Sequence, residues 1–253
     1  MVAFSTLAVM ALVSFAAGLV DICLGMGYGF TVTPVLLLMR FTPLEAVPAV
    51  LFSSFVSAIV SSFFHQRFGN VDFDVKGEAF RIAATIGVLG IAGGLIGARV
   101  ALGISEFVLS LYIGLLVTAS GVFVLASRSL DLGFSWNKIM AISLLGAFNK
   151  GLSGSGFGPI ITTGGLLSGL DEKATVSIQA LSEFPVSLAA FLTFLYSGVS
   201  IDWGLPLALT AGVVCAAPLA ALVVQRVNPD RLRIMIGVAA IGVGLTTLIS
   251  LYL

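Results

Sequence analysis

Lys150 is the only charged residue between positions 139 and 170, and it stands directly before the run Gly151-Leu152-Ser153-Gly154-Ser155-Gly156-Phe157-Gly158-Pro159. An ionisable group in so apolar a stretch is costly in lipid and reads first as functional. Its ammonium would supply positive charge beside an anion. The plainer alternative is a lysine that snorkels to an interface from a short helix. Glu183 is alone in the same way between 174 and 201, and Gln179 precedes it by four positions. That spacing puts Gln179 and Glu183 on one helix face. Glu183 is a candidate partner for Lys150 or a candidate proton carrier; a neutral, hydrogen-bonded structural glutamate is the alternative. Asp21, the only charge between 1 and 39, lies four residues before a second glycine cluster, Gly25-Met26-Gly27-Tyr28-Gly29-Phe30. It reads equally as a core-facing proton carrier or as an interfacial residue.

Glycine weakens a helix and proline removes a backbone donor. The stretches 1–39 and 139–170 are too long for one membrane helix. Each therefore reads as a helix, a break at its glycines, then a shorter helix. Pro159 suits an early position of the second piece. A helix that starts at a break presents free N–H groups and the positive end of its dipole. Two such ends facing each other would bind an anion. The expected binding set is Gly27, Tyr28, Gly29 and Thr31 from the first break, and Ser153, Gly154, Ser155 and Gly156 from the second. Lys150 and Gln179 complete it, and the backbone amides of residues 27–31 and 153–158 would do the holding. The competing explanation is that the glycines only let helices approach closely.

Other polar residues carry weaker signals. Ser53 and Ser57 are i, i+4 neighbours and, with Ser54, could line a polar path; back-bonding to their own helix is the blander reading. His65, the only histidine, precedes Gln66-Arg67 and is expected in a surface loop. Tyr28, Phe30 and Phe157 flank the glycines as gates or as packing. Cys23 and Cys215 lie in apolar stretches and are expected to be buried thiols, a disulfide between them being the alternative. One histidine and two such cysteines form no metal cluster, and Gly154-Ser155-Gly156 lacks a triad partner. No enzyme, metal or cofactor is expected.

These residues must be positioned by elements that live in lipid. The chain has 253 residues, 58% of them hydrophobic and 9% charged. Its mean hydropathy is +1.15. Soluble domains carry about 25% charged residues, so a bilayer is the solvent this composition fits. Zero net charge gives no footprint for nucleic acid. The first segment has no positive n-region and reads as a retained helix. Gaps between charges give about eight membrane helices. Lys and Arg divide five against six between alternate loops, which sets no orientation; the oligomeric state is equally open.

The chain also repeats. Tyr28-Gly29-Phe30 matches Ser155-Gly156-Phe157 at a spacing of 127, which also pairs Glu45 with Glu172. Val71-Asp72-Phe73 matches Ile201-Asp202-Trp203, and Ile113-Gly114 matches Ile236-Gly237. The expected fold is an all-α integral membrane protein of two pseudo-symmetric four-helix repeats, 1–128 and 139–253, joined by a linker at 129–138. The first helix of each repeat is interrupted at its glycine cluster. At the spacing of 127, Lys150 corresponds to Cys23 and Glu183 to Val56, which puts these charges in the second copy alone. Matched breaks in the two halves of a repeat point to a transporter's binding site.

The pattern Gly-x-Gly-x-Gly-Phe-x-x-x-Pro-x-Leu-Leu-Leu at 25–38, its degenerate partner at 154–167, the chain length and the duplication resemble the TauE/SafE family of membrane permeases. In the second copy Pro159 follows Phe157 by two positions, whereas Pro34 follows Phe30 by four. The resemblance implies an exporter of sulfite or of sulfonates such as sulfoacetate, in a bacterial inner (plasma) membrane. It fits the anion site read from the helix ends.

Overall fold

The computed structural model describes residues 3–126, 135–167, 170, 172–224 and 229–252. Most of the expected linker, 129–134, lies outside them. The described residues are helical, with no strand among them: α1 (Phe4–Leu24), α2 (Tyr28–Leu38), α3 (Pro43–Arg67), α4 (Glu78–Gly103), α5 (Glu106–Ala126), α6 (Trp136–Ser153), α7 (Phe157–Leu167), α8 (Glu172–Tyr196), α9 (Gly204–Val223) and α10 (Pro229–Ser250). Six of them, α1, α3, α4, α5, α8 and α9, contain stretches long and apolar enough to cross a membrane alone.

Each over-long stretch is a longer helix, a glycine break and a helix of 11 residues: α1 then α2, α6 then α7. Eleven residues rise about 16 Å, half of a ~30 Å hydrocarbon core. At 21 residues, α1 already has the length of a full span, so the break follows a helix of crossing length instead of dividing one. The chain stops there because Gly25 and Gly154 take left-handed backbone, φ 67° and 69°. Any residue with a Cβ is disfavoured in that conformation.

In the structure the helix caps and starts of the two halves register at 129 residues, two more than the spacing of the Tyr28-Gly29-Phe30 and Ser155-Gly156-Phe157 match. The caps Gly25 and Gly154, the starts of α2 and α7, and the starts of α3 and α8 all share the spacing of 129. Helix caps fix the correspondence, because each break is defined by its backbone and not by its aromatic residues. Lys150 therefore corresponds to Asp21 and Glu183 to Ser54, and both copies bring charge to the breaks.

The copies are interlaced. Helix α4 packs chiefly on α6 and α8, and α9 packs on α1 and α3; α5 pairs with α10, and α3 meets α8. Small residues permit this. Gly97 of α4 rests on the Phe148 carbonyl of α6, Gly151 of α6 on the Gly94 carbonyl of α4, and Gly212 of α9 on the Ala11 carbonyl of α1. Between apolar helices in lipid, such close backbone contact supplies packing that no hydrophobic effect provides.

Candidate functional site

The two breaks touch reciprocally. A Cβ on Gly29, in the first turn of α2, would stand 2.5 Å from the Gly154 carbonyl oxygen. A Cβ on Gly158, in the first turn of α7, would stand 2.5 Å from the Gly25 carbonyl oxygen. Each short helix thus begins against the other copy's break.

Beside that contact lies a cavity of about 10 Å³ lined by Asp21, Gly27, Gly29, Phe30, Lys150, Ser155, Gly156, Phe157, Gly158, Pro159, Gln179 and Glu183. It draws on α1, α2, α6, α7 and α8. Lys150 is 2% exposed. Its Nζ lies 2.6 Å from Glu183 Oε1 and donates to Ser54 Oγ at 2.8 Å. Gln179 Nε2 donates to the other carboxylate oxygen, Glu183 Oε2, at 2.7 Å. The snorkelling alternative for Lys150 is thus excluded: helix α6 carries the lysine inward, where burial requires a partner. Asp21 Oδ1 accepts the Tyr28 amide at 3.0 Å, at the positive end of α2. Asp21 also interacts electrostatically with both Glu183 and Lys150.

The expected amide cradle is smaller than residues 27–31 and 153–158. The Tyr28 amide is taken by Asp21, the Thr31 amide by the Gly27 carbonyl, the Gly154 amide by the Lys150 carbonyl and the Ser155 amide by Ser153 Oγ. By helix position, Gly29 and Phe30 of α2, and Phe157 and Gly158 of α7, have no acceptor within their helix. Pro159 has no N–H to offer.

Of the expected binding residues, Gly27, Gly29, Lys150, Ser155, Gly156 and Gln179 line the cavity, as do the proton candidates Asp21 and Glu183. Tyr28, Thr31, Ser153 and Gly154 do not. The Tyr28 hydroxyl points into another network, with Ser14 Oγ at 2.9 Å and Ser53 Oγ at 2.7 Å. Ser153 closes the break, its Oγ bonding the Asn149 carbonyl at 2.7 Å. Ser155 Oγ, in a residue 1% exposed, has no hydrogen-bond partner among the described residues. Sequence reasoning passed over Ser54 as the lysine's hydroxyl partner. No local signal separated it from Ser53 and Ser57; only in the structure, where the caps register at 129, does Ser54 stand as Glu183's counterpart.

Two expectations are corrected. His65 is not in a surface loop. It lies inside α3 and is 0% exposed. Asn70 Nδ2 stands 3.1 Å from Nδ1 and also donates to the Ala221 carbonyl, while Nε2 stands 3.1 Å from the Ile22 carbonyl. With Asn70 donating to Nδ1, the ring is the Nε2–H tautomer by hydrogen-bond logic. The histidine therefore ties α3 to α1, and through Asn70 to α9. Cys215 is the second correction: Cys23 is buried, but Cys215 is exposed on the outer face of α9, because an apolar stretch in lipid has no wet side to avoid.

The fold and its polar centre are those of an α-helical integral membrane protein with a charged site enclosed between short helices. Residues 10–247 match the family described as sulfite exporter TauE/SafE, and the chain belongs to that family. It is similar to "Probable membrane transporter protein YtnM" of Bacillus subtilis (strain 168), at 30% identity over 257 residues, covering 96% of this chain and 83% of that one. No solved structure matches. The protein is a membrane transporter of this family, and its relationship with a Bacillus protein points to a bacterial membrane.

Proposed function

We propose that the protein exports a small sulfur-containing oxyanion, sulfite or an organosulfonate such as sulfoacetate, by alternating access. The observation that carries this reading is the convergence of Lys150, two helix N-termini and the unpartnered Ser155 hydroxyl on one cavity. Preorganised donors and a single ammonium suit a compact anion. The four first-turn amides and Lys150 are its proposed ligands, with Gln179 and Ser155 completing the shell. Glu183 and Asp21 are the proposed proton-coupling groups. The interlaced packing suggests moving units of α1, α3 and α9 against α4, α6 and α8, instead of one sequence half against the other.

Purified protein in vesicles loaded with sulfite or sulfoacetate tests this. Release faster than from empty-lipid controls, lost in Lys150→Met, is the expected result. No flux for any small anion would sink the reading and favour a non-transport role in the membrane. Flux only into vesicles whose protein is oriented as in the cell would instead make it an uptake permease.

A further inference from the structure

Two of the three positive features of the cavity, Lys150 and the N-terminus of α2, are occupied by the protein's own carboxylates. Asp21 sits on the N-terminus of α2, and Glu183 sits on Lys150. What remains, about 10 Å³, has room for about one water molecule. An oxyanion of four or more heavy atoms has no seat while Glu183 holds the ammonium. Yet Ser155 lines this cavity and its buried hydroxyl has no partner among the described residues, so a ligand oxygen seated here would satisfy it.

We propose that Glu183 is a tethered competitor of the transported anion: its carboxylate and the substrate occupy the Lys150 ammonium in turn, and the exchange takes one proton from solvent onto Glu183. This rests on the anion-permease reading above. A carboxylate and a sulfur oxyanion make the same demand on an ammonium, with oxygens that share negative charge. Holding both would place two anions around one cation in a medium of low dielectric, with Asp21 in reach as a third. The proton removes that conflict. Glu183 becomes a neutral acid, and Gln179 can keep it in place in either form, because its amide has both a donor and an acceptor. When the anion departs, the proton leaves Glu183 and the ion pair re-forms.

The groups that face Glu183 are few. Helix α6 brings Lys150, α1 brings Asp21, α2 brings Tyr28, and α3 brings Ser54, which is not titratable. Helix α7 contains no titratable residue, and the charged residues of α4, Glu78, Arg81 and Arg99, lie toward its ends. Lys150 is the cation in ion-pair contact with the carboxylate.

The test compares wild-type protein with Glu183→Gln in lipid nanodiscs, using sulfite and methanesulfonate as probes. Methanesulfonate keeps its charge across pH 6–8, so any pH dependence belongs to the protein. Wild-type affinity is expected to fall as pH rises. Glu183→Gln is expected to bind at least about tenfold more tightly at pH 8 and to show no pH trend. Addition of methanesulfonate to weakly buffered wild-type protein is expected to take up close to one proton per anion bound. This second measurement, repeated in Asp21→Asn where the uptake is expected to persist if Glu183 takes the proton, stands even where Glu183→Gln folds poorly; uptake lost in Asp21→Asn overturns the proposal. Anion binding to wild type without proton uptake overturns the proposal. So does a Glu183→Gln affinity as weak as that of Lys150→Met, which would make Glu183 a ligand's helper and not its rival. Each of these results leaves the permease reading standing. Wild-type protein that binds and moves no anion overturns both.

Discussion

Asp21 and Lys150 occupy the same backbone position in the two copies, with opposite charge. The Asp21 carbonyl accepts the cap amide of Gly25 at 2.6 Å, and the Lys150 carbonyl accepts the cap amide of Gly154 at 2.8 Å. The backbone frame is matched at the two breaks, while the side chains at this pair carry opposite charge. The asymmetry extends to the next helix, where Ser54 of α3 stands at the position of Glu183 of α8, and both contact Lys150.

The Lys150–Glu183 pair sets the first prediction. Removing one partner leaves the other buried and unpaired, which costs about 3–5 kcal/mol in protein interiors. Lys150→Met should therefore lower stability markedly, and Lys150→Met with Glu183→Gln should recover much of the loss. Thermal unfolding of the two single variants and the double variant in one detergent reads the coupling directly. Additive losses would mean that the two residues do not act as a pair.

Ser155 should separate stability from function. Its hydroxyl is buried without a protein partner, so Ser155→Ala removes an unsatisfied group and should leave stability within about 0.5 kcal/mol of wild type or raise it. Anion affinity should fall several-fold. Paired unfolding and binding measurements check both halves, and a matching fall in the two would make Ser155 a structural residue.

Gly29 and Gly158 should be intolerant in the same way. A Cβ at either meets a carbonyl oxygen of the opposite break at 2.5 Å. Gly29→Ala and Gly158→Ala should each push the breaks apart and abolish transport. Gly242→Ala in α10, where nothing lies within 4 Å of the added carbon, should be neutral or mildly stabilising, as for Gly→Ala in a helix. Flux per folded protein is the readout. Normal flux in Gly29→Ala would show that the contact between the breaks is dispensable.

His65 should act as a structural tie. His65→Leu leaves the Ile22 carbonyl and one Asn70 amide proton without their partner, at about 1–3 kcal/mol for each unsatisfied group. Unfolding should shift to lower temperature, while the pH profile of transport in folded protein stays unchanged. A changed pH profile would give the imidazole a part in proton movement.

The sequence by itself determined the solvent, the all-helical character and the location of the breaks, whereas six helices, not the expected eight or so, are long and apolar enough to cross alone among the described residues. Each of the three is local. Lipid selects composition residue by residue, and a glycine that must adopt left-handed backbone announces itself where it stands. Lys150 and Glu183 were legible as candidates for the same reason, since a charge in an apolar stretch needs no neighbour to be conspicuous, and Gln179 followed from its spacing of four from Glu183. Tertiary structure alone decided what each of them touches. The choice of Ser54 over Ser53 or Ser57 for Lys150, the burial of His65, the register of 129 and the exchange of α4 and α9 between copies all depend on how helices cross. In lipid those crossings are set by close packing of small residues and by capped helix ends. Neither leaves a hydropathy signal, because every candidate neighbour is equally apolar.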